Sequence, residues 1–492
     1  MEIIDILMAR ALGGSRIPDV TQWIGVTTTA LADGASTNPI VVNGESVTAV
    51  AGDVASYGGS NYVFNGTVWQ AAGGSENVAA DLNDVIFVDY DGKIRYGYSA
   101  AEFASLTEMP SNPIHSGLTA QGWNWALADA KAYVGTYGKL IIGQTYATDD
   151  GKTRIYIHLE NGRLSPHLGI CPNGTVTVSW GDGRTDTVTG TSTTTVVNTQ
   201  HTYSAAGDYV ITLAVDGTMG IAGDDTYGSK LLWKNGSTAS ENRVYQNAVY
   251  KVELGSGITS LASYAFSHCY SLASVTIPSG ISSIGSYAFQ YCESLVFVSV
   301  PSGVTRIDTY TFYSCESLVF VAIPNSVTQI NGAFQTARGL VVATIPSGVT
   351  SMDSAIFSNC LCLSSVTVPS GVTEFGANLF YSCHNLSDIT IPSGVRSIPA
   401  SAFSSCACLS SVTIPSGVTS IGTNAFSYCT GIREYHMLAA TPPTLAAANA
   451  FNAIAGDCVI YVPRSTNGSV LAAYQSATNW ATYASYMQEE PQ

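Results

Sequence analysis

Positive charge is scarce in this chain. Lysine and arginine together number 19 among 492 residues, against 35 aspartates and glutamates, for a net charge of −16. No run of basic residues interrupts that deficit, which excludes a nucleic-acid partner, because phosphates need a basic face. Long apolar stretches are also missing. None approaches the roughly 18 residues of a membrane-spanning helix. The opening MEIIDILMAR lacks a basic start followed by a long apolar core, so the expectation is a chain made in the cytoplasm and not exported by a standard route. Catalytic signatures are lacking too: there is no H-E-x-x-H, no G-x-S-x-G and no G-x-x-x-x-G-K-[ST]. His115, His158, His167, His201, His268, His384 and His436 are scattered without a motif. The expectation is a protein that is not an enzyme and carries no cofactor or metal.

What the chain does have is a ladder. Cys269, Cys292, Cys315, Cys360, Cys383, Cys406 and Cys429 mark one place in a unit that reads F-x-x-C-x-x-L-x-x-V-x-I-P-x-x-V-x-x-I, mostly at a step of 23 residues. Phe266, Phe289, Phe312, Phe334, Phe357, Phe380, Phe403 and Phe426 each open a unit, with one step shortened to 22. A fixed period in the twenties predicts a solenoid. Within one unit, Leu272, Val275 and Ile277 read as a strand with Val275 and Ile277 on the same face. Pro278 ends it, because proline has no N–H for the ladder. Ser279-Gly280 turns the chain, and Ile281, Ile284 and Phe289 return inward. Equivalent cysteines then point the same way, whereas a disulfide needs facing Cβ vectors. Ala337 stands where its neighbours have cysteine, so the position reads as a small buried residue. Cys360/Cys362 and Cys406/Cys408 form C-x-C pairs, but no clustered histidine or second pair supports a metal.

The unit resembles the leucine-rich repeat of BspA-like bacterial surface proteins, across residues 251–463 with a C-terminal cap over 464–492. Five pieces precede it. Residues 1–24 place Ile3, Ile4, Leu7, Ala11 and Leu12 on one helical stripe, a candidate attachment helix. Residues 25–74 read as a small β module, where Gly52, Asp53, Tyr62, Asn65, Gly66 and Trp69 resemble modules near the N-termini of phage fibre proteins. Residues 75–165 read as an α+β segment. It comprises a hairpin turning at Asp91-Gly92, two helices, the strand KLIIGQTYA, and a second hairpin through Asp149-Asp150-Gly151. Trp123 and Trp125 lie between sugar stacking and core packing, with core packing the plainer reading. Residues 166–220, with Trp180-Gly181-Asp182-Gly183 and His201-Thr202-Tyr203, resemble a polycystic-kidney-disease-type (PKD) β-sandwich. That resemblance implies a spacer or a weak binding module. Asp182 and Asp186 are either turn caps or calcium ligands. Residues 221–250 read as a connector. The fold class is therefore multidomain and mainly β: an N-terminal helix and small β module, an α+β segment, a PKD-like β-sandwich and a C-terminal leucine-rich-repeat solenoid.

Function is expected at outward positions of the coils, which packing leaves free. In the first and the fifth to seventh units these are small and polar, such as Ser364, Ser365 and Thr367, or Ser387, Asp388 and Thr390. The second to fourth units instead carry Val296 and Phe297, Val319 and Phe320, and Val341 and Val342. These six residues form the candidate binding patch. It is covered by another domain or a sister chain, it takes an external ligand, or it has no special role. Tyr264, Tyr270, Tyr287, Tyr291, Tyr310, Tyr313, Tyr381 and Tyr428 cluster at the phenylalanine corner. They read either as a recognition edge or as ordinary half-buried tyrosines. Together these features point to a bacteriophage virion appendage, fibre- or spike-like. Its N-terminal region would hold other virion proteins, its solenoid would hold a host surface protein or glycan, and its state would be a homo-oligomer, a trimer by guess. The alternatives are a bacterial cell-surface adhesin and, more remotely, a glycan-active enzyme.

Overall fold

In the computed structural model the described residues are 84–221, 231–234 and 244–491. Eight further strands are described by their backbone alone. Six lie in the first part of the chain: β1 (Trp23–Val26), β2 (Ile40–Val42), β3 (Glu45–Val47), β4 (Val54–Tyr57), β5 (Ser60–Phe64) and β6 (Trp69–Ala71). They pair in the order β1-β4-β5-β6, with β2 and β3 as a separate hairpin. The expected helix over 1–24 lies outside the described residues.

The α+β segment comprises β7 (Val85–Val88), β8 (Ile94–Tyr98), α1 (Ala100–Ser105), β9 (Leu118–Trp123), α2 (Leu127–Tyr137) and β10 (Leu140–Thr148). Ser99 caps α1 in a reciprocal box with Glu102. The strands order as β8-β7-β10-β9, with β7 and β10 parallel. Alternate residues of β7 and β10 serve different cores. Val85, Phe87, Leu140 and Ile142 pack with Phe103, Tyr133 and Val134 of the two helices. Ile86, Val88 and Ile141 face the other way, onto the solenoid.

One expectation is corrected here. The Asp149-Asp150-Gly151 turn forms, with Gly151 in the left-handed region, but it joins no hairpin. β10 has β7 on one edge and β9 on the other. β11 (Thr153–Leu159) is flanked by other strands. With both edges of β11 taken, it has no backbone groups left to pair with β10.

The next strands are β12 (His167–Ser179), β13 (Thr185–Thr191), β14 (Val197–Gln200) and β15 (Gly207–Ile221). Two short strands follow, β16 (Gly223–Asp224) and β17 (Gly228–Ser229). Then come β18 (Val249–Glu253), β19 (Ile258–Leu261) and β20 (Ser274–Thr276). One sheet runs β13-β12-β15-β11-β18-β20, with β14 on β12 and β19 on β15. Residues 166–220 are thus joined to β11 before them. The stretch taken as a connector ends inside β18, whose parallel partner β20 belongs to the first coil. The sheet caps the solenoid's open end and satisfies ladder groups that would otherwise face water.

The coils stack as parallel strand pairs, for example Phe297–Ser299 on Phe320–Ala322 and Val342–Thr344 on Ser365–Thr367. The repeat phenylalanines form one column with ring centroids 5.1–5.6 Å apart. Phe451 extends it by one ring, 5.5 Å from Phe426. Beside the column, the ladder thiols after Cys269 each donate to the carbonyl of the phenylalanine that opens the preceding unit, as Cys292 does to Phe266 at 3.2 Å and Cys383 to Phe357 at 3.1 Å. All eleven cysteines are free thiols. Burial raises the Cys429 thiol to about 12. No lone coil can bury such a column, so stability is shared between neighbours. The far end closes with strand Val459–Val462, helix Ser469–Ser476, a 3-10 turn over Trp480–Tyr486 and strand Met487–Glu489. Tyr474 and Trp480 are fully buried there.

Candidate functional site

The six patch residues do come together, but as a buried contact rather than an open surface. Phe297 is 1 % exposed and Phe320 6 %. With Val319, Val341 and Val342 they pack against Ile86, Val88 and Ile141 of the α+β segment, and Val296 lies at the margin. Of the readings the sequence left open for this patch, cover by another part of the chain is the one that fits: the α+β sheet occupies it, so it is not open to an external ligand. Polar bonds frame the contact. The Asn124 side chain donates to the carbonyls of Val300 (3.2 Å) and Ala322 (3.0 Å) and accepts from Gly143 N (2.9 Å). Trp125 Nε1 donates to Ile323 O at 2.9 Å, and the Tyr133 hydroxyl to Ile345 O at 2.6 Å. Val300, Ile323 and Ile345 immediately precede the strand-ending Pro301, Pro324 and Pro346. Proline brings no N–H to the ladder there, and side chains from the α+β segment supply donors instead. Trp125 is therefore core, and Trp123 is half-buried against the same cluster, its ring meeting Phe87 at 4.8 Å.

A signal for this cover was present in the sequence. VIFV and LII are unbroken apolar runs, and such strands are buried on both faces. One face has the helices. The other needs a second apolar surface, and the Val-Phe pairs provide it.

The fifth coil's Ser364, Ser365 and Thr367 are half-buried, and from the sixth coil the strand face is open. Ser387, Asp388 and Thr390 are exposed, as are Ser410, Ser411 and Thr413. The ladder continues without a break through Ser411–Ile414, Glu434–Met437, Val459–Val462 and Met487–Glu489. Its far end is charged. His436 stacks on Tyr461 at 5.2 Å. Its Nδ1 lies 2.8 Å from Glu490 and its Nε2 3.3 Å from Glu434. Burial alone would lower the His436 pKa, but hydrogen bonds to the two carboxylates outweigh it and raise the value. Arg433 pairs with Asp457 at 3.0 Å. This face offers hydroxyls, carboxylates and one stacked aromatic pair on a rigid frame.

The tyrosines form a second aromatic edge. Tyr264 and Tyr287 stack at 4.8 Å with planes 3° apart, so they use ring faces on each other. Tyr428 is 57 % exposed. A feature invisible in the sequence shapes this corner. The second residue before and the second after each repeat phenylalanine have positive φ, yet only Gly332 among them is glycine. Tyrosine, asparagine, serine, threonine, alanine and histidine fill the rest. Their N–H groups reach the next coil, as Asn378 does to Ala400 O at 3.0 Å, which offsets the left-handed strain.

Asp182 accepts from Arg184 N and lies 2.8 Å from His201 Nε2, and Asp186 accepts from Trp180 Nε1 at 2.8 Å. Both carboxylates have structural roles. Among the described residues no group of three or more His, Cys, Asp or Glu is placed to hold a metal ion, and no helix is long and apolar enough to cross a membrane.

A family model described as the BspA type leucine rich repeat region matches residues 237–360 and 307–433. The solenoid is a BspA-type leucine-rich repeat region. Solved structures of similar kind include a leucine rich cell surface protein from Faecalibacterium prausnitzii, at 20% identity over 57% of this chain and 96% of that one, with a TM-score of 0.25. A leucine-rich repeat protein from Bacteroides ovatus matches at 18% identity over 59% and 90%, with a TM-score of 0.29. One from T. pallidum matches at 24% over 36% and 72%, with a TM-score of 0.26. No curated protein matches the chain. The BspA-type match stops at residue 433, where the charged end of the open face begins.

Proposed function

We propose that this protein is a non-enzymatic recognition protein that grips a host or partner surface through the open strand face of its BspA-type solenoid. The observation that carries this reading is the division of that face. Coils two to four spend their outward residues on the α+β segment. Coils six and seven leave theirs exposed, and coil five and the cap leave theirs half-buried, with Glu434 exposed. Packing does not require Asp388, Glu434 or His436 on a solvent-facing strand, so their placement is free to serve contact.

The setting we favour is a phage particle, with the N-terminal region held by other virion proteins and the chain self-associated as a trimer. The PKD-like strands then act as a rigid spacer continuous with the solenoid. Support comes from the fibre-like residues Gly52, Asp53, Tyr62, Asn65, Gly66 and Trp69. A bacterial cell-surface adhesin is the second reading, favoured by the BspA-type repeat itself. Immunogold labelling separates the two settings: particles label in the first, cell envelopes in the second. The function is tested by binding of the full chain to a panel of intact bacteria. Ser387→Arg with Thr413→Arg should abolish binding without loss of fold. Unchanged binding by that double variant contradicts the reading.

A further inference from the structure

At the opposite end of the solenoid, where the β sheet meets the first coil, lies a cavity of about 390 Å³. Its volume falls within the span of small-ligand sites, roughly 300–1,000 Å³. Leu159 and Tyr245, both buried, give it an apolar floor, and Tyr250, 36 % exposed, lines it as an aromatic wall. The rim is polar: His158, Arg163 and Asn247.

The rim's charges are already balanced. Arg163 pairs with Glu160 at 2.6 Å, and His158 Nδ1 lies 2.8 Å from Asp208. Arg163 is therefore not left over to hold an anion, and the chain's net charge of −16 opposes one further. Neither carboxylate is left over to hold a cation. Asn247 Oδ1 accepts from the Ser271 hydroxyl at 2.8 Å, which fixes the amide while its Nδ2 hydrogens stay unclaimed among the described residues. The site therefore combines an aromatic wall, a fixed amide donor and paired polar groups that can share hydrogen bonds without a net charge. A ligand that matches has one apolar face, many hydroxyls and no charge.

We infer that this cavity is a binding site for one neutral sugar unit, whose apolar face lies on Tyr250 and whose hydroxyls meet Asn247 and the Arg163–Glu160 pair. The inference goes beyond the recognition face proposed above, since the two sites share no residue.

The test is saturation-transfer NMR and calorimetry on the full chain. The probes are glucose, galactose and N-acetylglucosamine, with N-acetylneuraminic acid and glucosamine as charged counterparts. The expected result is millimolar binding of at least one neutral sugar in preference to both charged ones. Tyr250→Ala should weaken it at least tenfold, whereas Tyr250→Phe, which keeps the ring face, should hold it within about threefold. Should Tyr250→Ala fail to fold, Asn247→Leu at an exposed position gives the same tenfold test. No binding of any neutral sugar, a preference for a charged one, or full binding by the two disruptive variants would overturn the inference. Ser387→Arg with Thr413→Arg must leave sugar binding unchanged. Loss of cell binding there with sugar binding intact separates the fate of the two sites.

Discussion

Gly143 lies directly against Ser299: a Cβ at position 143 would collide with the Ser299 hydroxyl. The contact joins β10 of the α+β segment to the second coil, and only a residue without a side chain permits it. Gly143→Val should therefore push the sheet off the coils at a cost of about 1–3 kcal/mol for overpacking. Hydrogen exchange checks this. Amides of 85–88 and 140–148 should exchange faster in the variant, while those of the fifth to seventh coils keep their rates.

Leu318 and Phe320 are two residues apart and belong to different cores. Leu318 is fully buried within the coil stack, whereas Phe320 packs on the α+β sheet. Leu318→Ala should cost about 2–5 kcal/mol as a cavity and lower the melting temperature of the whole solenoid. Phe320→Asp should instead release the α+β segment, losing at least about 3 kcal/mol of docking, and leave the coils folded. Differential scanning calorimetry should show one shifted transition for the first variant and a newly separated early transition for the second.

The thiols give a third test. Ten cysteines are buried and Cys408 is exposed. Burial also raises the pKa of Cys171, Cys362 and Cys458 to about 11, so the reactive thiolate is scarce at neutral pH. A disulfide reagent should titrate one thiol per native chain and eleven in denaturant. Labelling should map to Cys408, and Cys408→Ser should abolish it.

The cap should respond to pH through His436. Its folded pKa is raised by Glu490 and Glu434 above the unfolded value of about 6.5. The stability it contributes is complete below that value and is lost as pH rises through the folded pKa. Cap melting followed between about pH 6 and pH 9 should fall more steeply in the native chain than in His436→Gln.

How much of this was legible in the sequence follows from what each residue must satisfy. The coil core was legible because the phenylalanine column and the thiol row repeat in register, and every member meets the same surroundings. Phe451 escaped because it stands 25 residues after Phe426, outside the period. The position of the patch was legible, and so was the need for a cover, but not which segment supplies it. The surface that meets Phe297 lies 156 and 211 residues earlier in the chain, in Ile141 and Ile86, and no local pattern encodes such a pairing. The false hairpin at Gly151 arose from a sound turn signal, because a turn fixes direction while strand edges decide partners. The left-handed corners were hidden because tyrosine and serine, rather than glycine, occupy them.

The division of the strand face is tested most directly by hydroxyl-radical footprinting of the unmodified chain, read by mass spectrometry. Phe297 and Phe320 should oxidise as slowly as Phe403, which lies inside the coil stack, while Tyr428 oxidises fast. Oxidation of Phe297 and Phe320 at the rate of Tyr428 would mean that the α+β segment does not cover them, and the account would fail.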